Sequence, residues 1–293
     1  CCSAQSLKVY KMKTLAVFAH YDYDNEVKEY VIYYLTQLKL ICDEIIFVST
    51  SELKEKECSQ ISSICSEIIT RGNKGHDFYS YKVGLDYIGD LSPYEQVILC
   101  NDSCIGPLFD LEAYFNNMNE LDVDFWGVSA CARPFLHIQS YFLVFNRTVI
   151  NSIVFKDFWQ QVNVLNNKDE IVMNYEVGLS QKLLNADFQW STIVPHKEYK
   201  LSACSLLQRK LAIYIQEYKF SNSRFSWKNL FEPLVRVDKS ISLFDYTIKH
   251  YKMPFIKKSL LKDHWINQQE MKRLLEDHTN FPSYLIDEVL CKK

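Results

Sequence analysis

Apolar residues follow two alternating rhythms along the first hundred positions. Leu15-Ala16-Val17-Phe18-Ala19 is an unbroken run, as expected for a strand buried on both faces, and it stops at His20-Tyr21-Asp22. Residues 24–40 then change to helical spacing, with Val27, Val31, Tyr34, Leu35 and Leu38 on one face. The alternation continues with a strand from Glu44 to Val48 that ends at Ser49-Thr50-Ser51, and a weaker helix from Ser51 to Cys65. A short strand starts at Ile68-Ile69 and ends near Arg71, followed by a helix from Asp77 to Ile88 and a strand from Gln96 to Cys100. Strands separated by helices predict an α/β fold with a largely parallel sheet. Such a sheet binds ligands at the C-terminal ends of its strands.

Beyond residue 105 the rhythm is less regular. Leu111 to Met118 predicts a short helix, Phe125 to Val128 and Ser140 to Phe145 two more strands, and Ile150 to Leu165 and Glu170 to Leu184 two helices. From about Leu201 the pattern is helical with charge runs such as Lys257-Lys258 and Glu270 to Arg273. The expected organisation is an N-terminal extension over 1–12, a catalytic α/β domain over 13–200 and a helical C-terminal region over 201–293.

Composition narrows the class of partner. The 293 residues are 48% hydrophobic and 24% charged, which suits a sizeable core. The net charge of -3 offers no basic footprint for nucleic acid. Nineteen Tyr and eighteen Phe suit sugar-facing surfaces, although core packing accounts for most such rings. The ten Cys form no CxxC pair and no zinc-spaced cluster with His, so they read as free thiols of a reducing compartment. No run of about 18 apolar residues predicts a membrane span.

The candidate chemistry collects where the strands stop. Asn101-Asp102-Ser103 ends the fourth strand and places a carboxylate at the ligand edge, where Asp102 suits a Mg²⁺ or Mn²⁺ holding a diphosphate; a turn-capping Asp is the structural alternative. Arg71, Asn73, Gly75 and Asp77 form a polar turn facing the same edge, with Arg71 as a phosphate partner and Asp77 alternatively as a helix cap. Lys82 lies one turn further on, turned inward or solvated. His20, Tyr21, Asp22 and Ser49 suit a nucleoside. Glu176 is a candidate general base or a helix N-terminal acid. Trp126, His137 and Gln139 are candidates for a sugar pocket, with core packing as the alternative for Trp126 and a hydrogen-bonded packing role for His137. Lys257-Lys258 beside Phe255 and Ile256 reads either as a solvated helix face or as a contact for anionic lipid.

In order, Phe18-Ala19-His20-Tyr21-Asp22, Arg71-x-Asn73-x-Gly75-x-Asp77-Phe78, Asn101-Asp102-Ser103-x-x-Gly106-Pro107, Asp124-Phe125-Trp126-Gly127, His137-x-Gln139-Ser140-Tyr141-Phe142 and Tyr175-Glu176-Val177-Gly178-Leu179 resemble the rhamnan synthesis protein F family. The resemblance covers roughly residues 14–200, and weakly Pro254-Phe255-Ile256-Lys257. It implies a GT-A-like fold and a glycosyltransferase of bacterial cell-envelope polysaccharide, an inverting rhamnosyltransferase using a dTDP-sugar, with a UDP-sugar as the other donor considered. It also implies a saccharide acceptor, lipid-linked, and a cytoplasmic site of action at the inner face of the membrane with peripheral contact there. More distantly the motifs are similar to glycosyltransferase family 2, which maps Asp102 onto the metal motif and Glu176 onto the base. Asn101 and Ser103 replace that motif's outer acids, and Tyr175 replaces the first acid of the base motif. Two alternatives stand beside this reading. One is a catalytically silent sugar-binding or scaffold module. The other is a zinc-dependent sugar deacetylase, suggested by the His20-Tyr21-Asp22 cluster.

Overall fold

The structure, a computed structural model, describes residues 13–196 and 238–290. The proposed extension over 1–12, and the part of the C-terminal region between 201 and 237, lie outside the described residues.

The alternating rhythm gives β1 (Thr14–His20), α1 (Glu29–Ile41), β2 (Glu44–Ser49), α2 (Glu55–Ile61), β3 (Glu67–Thr70), α3 (His76–Ile88) and β4 (Gln96–Asn101). β5 (Cys104–Ile105) and α4 (Leu111–Glu120) follow, then β6 (Phe125–Gly127), β7 (Ala130–Cys131), β8 (His137–Ile138) and β9 (Phe142–Asn146). Next come α5 (Arg147–Ile150), α6 (Ile153–Gln161), α7 (Lys168–Ile171), a π-helical turn (Val172–Val177), α8 (Gly178–Asn185) and β10 (Trp190–Thr192).

Seven strands form one sheet in the order β10-β6-β9-β4-β1-β2-β3. β1 pairs in parallel with β2 and β4, β2 with β3, and β6 with β10, while β9 runs antiparallel between β4 and β6. This is the mostly parallel, helix-flanked sheet expected of a GT-A-like fold. Successive residues of β1 feed opposite layers. Ala16 and Phe18 join a core with α1, α4 and the C-terminal segment, and Leu15, Val17 and Ala19 join one with α3, α6 and α8. A Cβ on Gly84 would lie 2.4 Å from Val17 Cγ1, so the bare glycine lets α3 sit directly on the sheet.

Three expected helices are shorter or divided, each for a local reason. The one foreseen over 24–40 starts at Glu29, because the Asp22 carboxylate accepts the Asp24 and Glu26 N–H groups and holds a loop there. The one foreseen over 150–165 is split, because Ser152 Oγ accepts from Phe155 N–H and starts α6 afresh. The one foreseen over 170–184 passes through the π-turn at Val172–Val177.

The C-terminal segment closes the rim. β11 (Ile256–Lys257) pairs antiparallel with β5, and the backbone continues the contact through Lys258 N–H to Ser103 O at 3.0 Å. Gly106 makes this approach possible. It sits at φ +151°, and a Cβ there would meet Pro254 O at 2.5 Å. Phe255, Leu260 and Leu275 join the same apolar layer as Phe18. Trp126, foreseen in a sugar pocket, is a core residue instead. It is 1% exposed, packed edge-on to Phe115 and tilted against Phe142, because inward positions of a central strand face the apolar layer.

Candidate functional site

A cavity of about 750 Å³ opens at the C-terminal ends of β1–β4. Of the residues foreseen there, His20, Tyr21, Asp22, Asn73, Asp77, Asp102 and Ser103 line it. Three others stand behind the wall and shape it. Ser49 Oγ lies 2.9 Å from His20 Nδ1. Arg71 bonds Ser80 Oγ and the carbonyls of Gly72 and His76, which fixes the turn before α3. Asn101 donates from Nδ2 to Asp77 Oδ2 at 2.8 Å and accepts the Ser103 hydroxyl and N–H at Oδ1. Lys82 is elsewhere. It donates to Trp159 O at 3.0 Å and pairs with Asp86 one turn along the helix, where the i,i+4 spacing favours it.

Asp102 is 6% exposed, yet its carboxylate faces the cavity. Its partner comes from the far end of the chain: Lys258 Nζ lies 3.0 Å from Asp102 Oδ2 and donates to the Tyr30 hydroxyl at 2.9 Å. Burial works against the Lys258 ammonium, but Asp102 and Tyr30 together hold it above the ordinary lysine value. The structure thus corrects the reading of Lys257-Lys258 as an outward-facing pair. Lys258 turns into the cavity wall, and Lys257 makes an ion pair with Asp238 at 2.8 Å. Lys258 and Tyr30 were missed in the sequence, because a lysine pair in a charged stretch and a tyrosine on an apolar helix face carry no local mark of a site.

Asp77 lies in the first turn of α3 without capping it; the N-cap is Gly75, at φ +78°. Burial, with the nearby charge of Asp102, pushes the Asp77 carboxyl up to about 7. His20 is shifted in the opposite sense to an acid. Burial lowers it despite Asp102 and Asp22, so the imidazole is neutral near pH 7. Its Nε2 is buried and has no hydrogen-bond partner among the described residues.

A second cluster lies along the same rim. Glu176, on the π-turn, is 3.2 Å from His137 Nε2 and accepts the hydroxyl and N–H of Ser140. π-turns of this kind recur at functional positions because they redirect one side chain out of helical register. Burial opposes the Glu176 charge, but His137 and Ser140 hold the carboxyl below its usual range, and Glu176 in turn raises His137. Gln139 accepts from Ser129 Oγ and donates to Asp238 Oδ2 at 3.0 Å. Against the cost of burial, Lys257 holds Asp238 below the carboxylate norm. Glu176, His137 and Gln139 are therefore brought together, but none of them lines the 750 Å³ cavity.

The expected divalent metal finds a poor ligand set. Hard cations need several free oxygens. Here the Asp102 carboxylate is occupied by an ammonium and Asn101 Oδ1 by Ser103. Among the described residues no three His, Cys, Asp or Glu side chains converge as a metal site, which also leaves the zinc-deacetylase alternative without ligands there.

The family described as rhamnan synthesis protein F matches residues 45–217. The chain belongs to that family. Virulence protein VirA of Vibrio anguillarum is 24% identical over 227 residues, which is 75% of this chain and 70% of that protein. Among solved structures, the glycosyltransferase GlyE of Streptococcus pneumoniae TIGR4 superposes with a TM-score of 0.40 at 14% identity, over 94% of this chain and 63% of its own. A 4-diphosphocytidyl-2C-methyl-D-erythritol synthase from Anaerococcus prevotii gives a TM-score of 0.40 at 10% identity, over 62% and 88%. Among the described residues no helix is long and apolar enough to cross a membrane.

Proposed function

We propose that this member of the rhamnan synthesis protein F family is an inverting glycosyltransferase. It moves a sugar, L-rhamnose from dTDP-rhamnose, onto a growing cell-surface polysaccharide. The observation that carries the reading is the cavity at the strand ends, walled by three of the motifs that carry the resemblance, His20 to Asp22, Asn73 to Asp77 and Asp102-Ser103, and large enough for a nucleotide-sugar. His20, Tyr21 and Asp22 hold the nucleoside, with Ser49 fixing the His20 ring from behind. The Asn73–Asp77 turn and the Asp102–Ser103 corner face the diphosphate and the sugar.

In the reaction an acceptor hydroxyl attacks C1 of the donor sugar. The bond from C1 to the phosphate oxygen breaks and its electron pair leaves with the nucleoside diphosphate. The acceptor proton goes to a carboxylate. Glu176 is the proposed proton acceptor: it is kept ionised by His137 and Ser140, and His137 and Gln139 set the acceptor side. Lowered basicity is the cost of that stabilisation. One observation favours a second candidate, because Asp77 lines the cavity and titrates near 7, where an acid–base group works best. The acceptor is a saccharide, lipid-linked at the inner face of the membrane.

The test is a donor screen on the purified chain, with dTDP-rhamnose and UDP-sugars and an oligosaccharide acceptor, reading nucleoside diphosphate release. Saturable turnover of one donor is the expected result. Oligosaccharide binding with neither nucleotide binding nor turnover would overturn the transferase and leave a silent sugar-binding module.

A further inference from the structure

The walls of the cavity hold five carboxylates, and each is already partnered inside the protein. Asp22 accepts the Asp24 and Glu26 N–H groups. Asp24 pairs with Lys28 at 3.6 Å. Glu288 accepts the Tyr30 N–H at 3.3 Å. Asp77 accepts from Asn101, and Asp102 from Lys258. Each thus has one oxygen engaged, and the carboxylate at the end of β4, where a hard cation would be held, is already neutralised by an ammonium.

The opposite holds for donors. The Lys258 ammonium has three N–H groups, and two are accounted for by Asp102 and Tyr30. His20 lines the same cavity, and its Nε2 is buried without a hydrogen-bond partner among the described residues. Ser49 Oγ accepts the Ser51 N–H at 3.0 Å and lies 2.9 Å from His20 Nδ1, which fixes the ring in the wall. The cavity therefore presents an ammonium with one N–H not engaged by Asp102 or Tyr30, and a buried donor of this kind is costly unless an acceptor arrives.

We infer that Lys258 receives the donor's diphosphate, and that this site works without a divalent metal. The inference rests on the nucleotide-sugar reading of the cavity and deepens it. Asp102 is then a positioning residue: it anchors the Lys258 side chain at the rim and does not ligate an ion. The ammonium acts on charge that grows on the leaving phosphate as the C1–O bond breaks, so it stabilises the transition state more than the bound donor.

The experiment titrates the full chain with dTDP and UDP, and in parallel with thymidine and uridine, by calorimetry in EDTA and again with excess Mn²⁺ or Mg²⁺. Expected is diphosphate binding in EDTA that changes less than about 2-fold with either metal. K258M should weaken the diphosphate by roughly 10-fold or more and leave the nucleoside unchanged, with K258R recovering most of the loss, as expected for a charge-assisted contact. Should K258M fold poorly, the wild-type comparison between EDTA and Mn²⁺ decides by itself. Diphosphate binding that appears only with metal overturns the inference and leaves the nucleotide reading intact. Absence of both nucleosides and diphosphates under every condition overturns the nucleotide reading itself, and this inference with it.

Discussion

Replacing Lys258 by methionine isolates the contact that ties the two ends of the chain to the site. The side chains of Lys258 and Asp102 are 15% and 8% exposed, and their charged atoms are 3.0 Å apart. Methionine keeps the length of the stem and removes the charge, so Asp102 stays buried without its cation, and the Tyr30 hydroxyl loses a donor. Breaking a buried pair on one side costs about 3–5 kcal/mol, because the remaining charge is uncompensated. At ~2.1 cal/mol/K of unfolding entropy per residue, a chain of 293 residues loses about 6–7 °C of Tm for ~4 kcal/mol. D102N alone should cost a similar amount by leaving the ammonium unpaired. K258M together with D102N should recover a good part of it, giving a coupling energy of at least ~2 kcal/mol in the double-mutant cycle. Urea unfolding followed by far-UV circular dichroism, all four proteins in EDTA, supplies the four free energies. A K258M loss within about 1 kcal/mol of zero, or a cycle that closes additively within ~0.5 kcal/mol, would show that the two charges are separately solvated and refute the reasoning.

Three further outcomes follow from the geometry. Asp77 loses its proton near 3.9 in the unfolded chain but near 7 when folded. Between those pH values the folded state binds more protons and stability falls as pH rises. D77N should remove that fall and stabilise the protein above pH 7 by about 2–4 kcal/mol, towards the lower figure because the residue keeps some solvent access, with no gain below pH 4; parallel urea titrations of both proteins at pH 4 and pH 8 check this. G84A forces a Cβ to 2.4 Å from Val17 Cγ1 and should cost about 1–3 kcal/mol without changing nucleotide affinity, read from a thermal melt beside a dTDP titration. E176Q should reduce turnover by about 10²–10⁴-fold with little change in KM; a near wild-type kcat for E176Q beside a dead D77N would assign the proton transfer to Asp77.

The parallel half of the fold was legible because buried strands and one-sided helices write their periods into the sequence: β1, β2, β4 and α3 fall within a residue or two of where apolar runs and turn residues place them. The two-residue strands β5, β7, β8 and β11 were not, since two residues carry no period. The same limit divides the site. His20, Asp22, Asn73, Asp77 and Asp102 end strands or open helices, so strand-end chemistry finds them. Lys258, 156 positions from Asp102, is found only once the chain has folded. Trp126 and Lys82 mislead for the reverse reason, because residue type suggested a ligand where packing decides the environment.

Lys257 ends β11 and Lys258 begins the turn that follows, and their side chains part there, one towards Asp238 and the Glu176 cluster, the other towards Asp102. Deleting or inserting a single residue ahead of Ile256 would shift the pairing of β11 with β5 and draw both cations away from their acids. Shuffling this tail between relatives would consequently succeed or fail as a whole, both acid clusters together, because one short segment meters out a cation to each.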